Sequence, residues 1–206
     1  MKKLLLAAIA LLVFAAGPVL ANYILLAPSG TTLTTGQVRA EAAFSPNNDH
    51  GKFFWLGTGL MQLEVNMIAV ANPGANKTEN RVGAQWSFLP ETSVTPAVAF
   101  GVTDVASESR EGIGGYAVVT KHLRTGAINP LLKELSVTGG IGAGGIRGPF
   151  AGVEARFPAG IFVQAEYDSH DFNGAVGWQP ISLLRFKAYT LRDNFYIGAE
   201  LRTLRF

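Results

Sequence analysis

From residue 36 to the end, the chain alternates apolar and polar residues with a period of two, in segments of roughly ten residues. A period of two is the signature of strands, whose successive side chains point to opposite faces. It recurs too often here for a helical fold. In Ile161 to Asp168, Ile161, Val163, Ala165 and Tyr167 share one face, and Phe162, Gln164, Glu166 and Asp168 share the other. Arg81 to Phe88 sets Val82, Ala84, Trp86 and Phe88 against Arg81, Gly83, Gln85 and Ser87. Val38, Ala40, Ala42 and Phe44 oppose Gln37, Arg39 and Glu41. Met61, Leu63, Val65, Met67 and Ala69 oppose Gln62, Glu64 and Asn66, while Phe195, Ile197, Ala199 and Leu201 oppose Tyr196, Gly198, Glu200 and Arg202.

This pattern predicts twelve strands, near 36–45, 51–57, 61–72, 80–89, 94–104, 113–123, 134–142, 149–157, 160–168, 171–178, 182–190 and 194–204. The second and sixth are weakly patterned. An even number of ten-residue strands predicts an all-β fold, an antiparallel up-and-down transmembrane barrel. Connections after odd-numbered strands, such as 45–51, 71–80 and 107–112, are polar and long. Those after even-numbered strands, such as 57–60, 89–93, 157–160 and 178–181, are short; 123–133 is the exception. Outer-membrane barrels keep short turns on the periplasmic side. A faint repeat of strand, aromatic-bearing proline turn and strand places Trp86, Phe88, Phe157 and Trp178 as a girdle at that interface.

The first residues read as an export signal. Lys2 and Lys3 precede an unbroken apolar run from Leu4 to Ala16, then Gly17 and Pro18, with Val19 and Ala21 at the −3 and −1 positions. The run is too short to span hydrocarbon as a helix. The expected organisation is a signal peptide 1–21 cut after Ala21, a lead-in 22–35 that either lies in the periplasm or enters the lumen, and a barrel 36–206. The location is then the bacterial outer membrane. Outer-membrane lipid and the barrel assembly machinery are the expected partners.

Charge excludes some functions. The whole chain carries 17 Lys and Arg against 15 Asp and Glu. Without Lys2 and Lys3 that is 17 − 2 = 15 against 15, so no basic excess exists to hold nucleic acid. There is no Cys, hence no disulfide and no thiolate chemistry. His50, His122 and His170 show no metal-ligand spacing, and neither metal nor cofactor is expected. Gly139 to Gly145 lacks the Gly-Lys-Ser/Thr ending of a phosphate loop and reads as strand glycine at close side-chain approach. Asn76-Lys77-Thr78 reads as a polar loop.

In a membrane barrel the polar face lines the lumen. The predicted lining is Arg39, Glu41, Glu64, Arg81, Gln85, Glu154, Arg156, Gln164, Glu166, Asp168, Arg185, Lys187, Glu200 and Arg202. Six acids face six bases, so a narrow or plugged interior with cross-paired charges is expected rather than a charge-selective pore; solvated wall charges are the bland alternative. A soluble lipocalin-like barrel would show the same alternation with its faces reversed. Asp168-Ser169-His170-Asp171 holds the residue types of a hydrolase triad, which keeps an outer-membrane enzyme acting on lipid or polysaccharide as a further alternative. Adjacent residues on a tight loop converge poorly, however, and Asp and Ser are common turn formers. Phe206 resembles the terminal aromatic of barrel assembly signals, although strand parity sets it on the polar face.

Pro28-Ser29-Gly30 followed by Thr35-Gly36-Gln37-Val38-Arg39 resembles the opening of YjbH-like outer-membrane proteins. Tyr116-Ala117-Val118-Val119-Thr120-Lys121 resembles their middle strand. Glu166-Tyr167-Asp168 with Asp171-Phe172-Asn173-Gly174 resembles their late acidic hairpin. The resemblance implies an outer-membrane barrel associated with exopolysaccharide production or export, a polysaccharide partner and no catalytic residues. Larger members have domains absent here.

Overall fold

The computed structural model describes residues 25–46, 51–71, 78–125 and 129–203. The signal peptide with its cleavage point, His50, Asn76 and Phe206 lie outside them. Twelve strands occur in chain order: β1 (Val38–Phe44), β2 (Lys52–Leu60), β3 (Leu63–Ala71), β4 (Thr78–Leu89), β5 (Ala97–Thr103), β6 (Gly114–Arg124), β7 (Glu134–Gly144), β8 (Gly148–Arg156), β9 (Ile161–Tyr167), β10 (Phe172–Ile181), β11 (Leu184–Leu191) and β12 (Asn194–Arg202). Each pairs antiparallel with its chain neighbours, and β1 pairs with β12 to close the barrel. Closure leaves no open sheet edge, as hydrocarbon requires.

The burial pattern decides between the membrane and soluble readings. Phe44, Leu63, Val65, Trp86, Phe100, Val176 and Ile197 lie exposed on the outer wall. Arg39, Glu41, Glu64, Arg185, Lys187 and Glu200 are buried inside. A soluble barrel would place these sets the other way round. The outer wall carries aromatic groups near the ends of the strands. Trp86, Phe88 and Phe100 meet edge to face, with centroids 5.6 and 5.7 Å apart, and Trp178 stacks on Phe186. Phe157 departs from the expected girdle. It is half-buried and lines a cavity with Arg156 and Phe162.

The weak patterning of the second and sixth strands has a structural cause. β2 turns Phe53 and Trp55 inward, and β6 turns Tyr116 and Val118 inward. Both faces of these strands are therefore largely apolar. Inward aromatics meet glycine across the strand pairing, Tyr116 opposite Gly101, Phe150 opposite Gly140 and Phe162 opposite Gly177. At each of these glycines a Cβ would fall inside the facing ring. The glycine-rich β7 is thus a wall thinned to admit Phe150, as strand glycine often is.

The expected loop asymmetry is weak, because the connections after β4 (90–96) and β6 (125–133) are also long. The connections after β1, β3 and β5 are long. Those after β7 (145–147), β9 (168–171) and β11 (192–193) are short turns. Arg192 and Asp193 adopt left-handed φ of 49° and 65°, which matches the twist of a two-residue hairpin turn. Below, the end carrying connections after odd-numbered strands is the odd end, and the opposite one is the even end.

Candidate functional site: a lumen closed in three layers

The lead-in enters the lumen. Residues 25–35 run from the odd-end half, where Leu25 packs with Phe53, Ile68, Val70, Tyr189, Leu191 and Tyr196, to the even end, where Thr35 bridges Gly59 in parallel. Nothing in this strap alternates, so it adds no strand to the wall. Its backbone must still be hydrogen-bonded once buried, and wall side chains supply the partners. Glu166 accepts the amides of Leu25, Leu26 and Ala27 at 2.8, 2.9 and 3.0 Å. Thr120 accepts the amide of Gly30 at 2.7 Å, and Glu64 that of Leu33 at 2.8 Å. Gln85 donates to the Ser29 carbonyl at 2.8 Å and itself accepts from the Tyr116 hydroxyl at 2.9 Å. Ala27 packs with Ala99, Tyr116, Val118 and Phe150.

A second layer fills the even-end half on the side of β1, β8, β11 and β12. Glu200 meets Arg202 at 2.5 Å, Arg39 at 3.1 Å, Lys187 at 3.3 Å and Arg185 at 4.0 Å. Glu41 takes Arg39 at 3.1 Å and Lys187 at 2.5 Å. Glu154 takes Arg156 at 2.6 Å and Arg185 at 2.9 Å, and also accepts from Gln164. Aromatics support the guanidiniums from the side. Arg39 lies 4.4 Å over Trp55, and Arg185 lies 3.7 Å over Phe162. Arg39–Glu41, Glu154–Arg156 and Glu200–Arg202 pair along single strands, whereas Arg185–Glu154 and Lys187–Glu41 join strands that are not neighbours and so cross part of the lumen.

A third layer crosses the odd-end mouth. Arg192, on the turn between β11 and β12, reaches Glu79 on β4 at 3.3 Å and Glu111 on the β5–β6 connection at 3.0 Å. Arg81 joins the same two carboxylates at 3.2 and 2.6 Å. A cavity of about 570 Å³ lies here, with Arg110, Arg147 and His170 on its lining. Burial raises the Glu111 carboxyl, but Arg81 and Arg192 outweigh this and hold it below its usual range. In the same connection Asp104 is also held low. There the Ser109 hydroxyl and the amides of Ser109 and Glu108 outweigh the effect of burial.

The predicted lining residues thus divide. Arg39, Glu41, Glu154, Arg156, Gln164, Arg185, Lys187, Glu200 and Arg202 join the charge network. Glu64, Gln85 and Glu166 hold the strap, and Arg81 belongs to the mouth. The expectation of acid paired with base throughout is corrected at Glu166, whose carboxylate accepts three main-chain amides of the strap and the Asn173 side chain; Glu64 counts the Leu33 amide among its partners. Asp168 is corrected too. It sits past the end of β9, half-buried, and accepts from the amides of His170 and Asp171 and from Asn173. Ser169 approaches His170 Nδ1 at 3.0 Å, but Asp168 caps backbone amides instead of orienting the ring, and Ser169 Oγ is buried and also accepts the Arg147 amide. The motif therefore forms a turn.

Among the described residues no group of His, Asp and Glu has the arrangement of a metal site. Sequence reading missed Asn173 (2.9 Å to Glu166), Thr120, Tyr116, Glu79, Glu111 and Arg192. Strand parity could have found Asn173, Thr120 and Tyr116. Nothing local marks Arg192.

No family model matches the chain, and no curated protein matches it. Among solved structures it is similar to a KdgM porin in complex with disordered oligogalacturonate, with a TM-score of 0.49 and 7% identity over 80% of this chain and 98% of that one. It is also similar to a triple-mutant porin of Rhodopseudomonas blastica, with a TM-score of 0.35 and 11% identity over 75% of this chain and 56% of that one. The barrel class itself rests on the strand ladder described above.

Proposed function

We propose that this chain is a bacterial outer-membrane barrel with a structural or gated-transport role, whose pore is plugged by its own amino-terminal strap. The observation that carries the reading is the strap, hydrogen-bonded to the wall by Glu166, Thr120, Gln85 and Glu64 along its length. The apolar outer wall supports membrane insertion, and the export signal together with closed β architecture supports the outer membrane. Outer-membrane lipid is the solvent of that wall, and the barrel assembly machinery is the route to it. The odd end faces outward in this reading, since the longest polar connections lie there. The link to envelope exopolysaccharide rests on the YjbH-like resemblance alone.

The test is electrical. Protein refolded in detergent and inserted in a planar bilayer gives no discrete current steps, whereas Gly30→Val gives small ones, because the charge network still occupies one side of the lumen. A Cβ on residue 30 would lie 2.8 Å from the Ala97 carbonyl oxygen and 2.9 Å from the Thr120 nitrogen, so valine cannot keep the strap seated. Full-size steps from the unaltered protein would refute the plug. Solubility as a monomer without detergent would refute the membrane assignment.

A further inference from the structure

We infer that the lumen is a binding channel for a polypeptide segment, with the strap as its resident occupant. The inference rests on the closed-lumen reading and adds the class of ligand. The wall addresses main-chain groups. Glu166 takes three successive amides, Thr120 and Glu64 take one each, and Gln85 donates a hydrogen bond to a carbonyl. Amides of one chain presented in this order are what a peptide offers. A glycan without N-acetyl groups would offer only hydroxyls to the same acceptors.

Side-chain selectivity comes from two apolar clusters, one that takes in Leu25 and Leu33 and one that takes in Ala27. Two close approaches set the register. Gly30 of the strap passes where a Cβ would press on the backbone of β5 and β6, and Gly59 of the wall passes where a Cβ would press on the carbonyls of Leu33 and Thr34. Further hydrogen bonds pin the even end, from the Gly36 amide to the Gly59 carbonyl and from the Gly59 amide to the Gln37 carbonyl, both 3.1 Å. The ligand is therefore a segment that bends to offer three successive amides to Glu166, with a branched apolar residue, a small residue two places on and glycine three places after that. Its amino end lies toward the odd end. The strap cannot be lent to a neighbouring barrel, because Gly36 and Gln37 alone join it to β1. An exchange partner has to be a separate peptide.

The experiment uses the full chain carrying a protease site inserted after Gly36, cut only after refolding, so that the strap becomes a noncovalent ligand. A fluorescent synthetic peptide of residues 25–35 is then added, and its polarisation is read. The expected result is slow exchange of the labelled peptide into the cut barrel and none into the uncut one. The unlabelled peptide competes, and the same peptide with Gly30→Val competes at least about tenfold more weakly. If the insertion blocks refolding, Gly30→Val in the intact chain vacates the channel and takes up the labelled wild-type peptide. Failure of the peptide to bind a vacated, folded barrel overturns the inference, as does equal competition by the valine peptide or displacement by neutral oligosaccharide. A conducting cut barrel that binds no peptide would leave the plug standing and remove the polypeptide site alone.

Discussion

Two regions of one lumen use the same residue type for opposite purposes. Glu166 and Glu64, on the strap side, spend buried carboxylates on neutral backbone amides. Glu200, Glu41 and Glu154, in the network, spend theirs on five bases. Both solutions satisfy a buried carboxylate, but they respond differently to change. A carboxylate held by amides can lose its partner when one segment leaves. A carboxylate held by cations on fixed strands cannot lose them without opening the wall. The strap can leave without breaking a strand ladder, whereas the bases of the network stand on the wall itself.

Breaking the network has the largest expected effect. Glu200→Ala leaves Arg39, Arg202 and Lys187 short of a carboxylate in a site with no solvent exposure. Removing one partner of a buried ion pair costs about 3–5 kcal/mol. The heat-induced shift from folded to unfolded band on a gel should move to markedly lower temperature, and an unchanged midpoint would contradict a structural network. Next comes Glu166→Gln, which weakens the hold on three strap amides by about 1–3 kcal/mol. The barrel's midpoint should barely change while protease access to residues 25–35 rises. Equal loss of barrel and strap stability would erase the distinction between the two regions.

Smaller effects sharpen the comparison at the ends. Arg192→Ala removes the bridge over the mouth and costs about 1 kcal/mol, since these groups are only partly buried. The loss should shrink in high salt, whereas that of Glu200→Ala should not. At the even end, burial raises the Glu91 carboxyl. The His122 amide and ring, 2.8 and 2.5 Å away, and Lys121 outweigh this and hold it below the usual range. A folded-state pKa below the unfolded value of about 4.3 means that this contribution is complete above that pH and is lost as the pH falls through the folded value. Acid titration of unfolding should therefore show a small loss of stability below about pH 4 that Glu91→Gln abolishes. A loss centred near neutral pH would point to a different group.

Much of this was legible in the chain. The strands follow from alternation, and the boundaries at β4, β9 and β12 fall within a few residues of those expected. The strap was not legible as a plug. Leu25 to Thr35 holds proline, glycine and a run of threonine, with neither period two nor period 3.6. Its conformation comes from the walls around it. The role of Arg192 was likewise hidden, because Glu79 and Glu111 are near it only once the barrel has closed.

Sequence by itself determined the local part of this protein: where strands run and, for most of them, which face is polar. These depend on neighbours in the chain, and alternation records them directly. Tertiary structure decided what the polar face is for. Glu64, Glu166 and Glu200 are the same residue in the same parity. Closure of the barrel sets one among four bases and leaves the other two facing a strap of bare amides. The partners come from strands far apart in the chain, so no local pattern can carry that information.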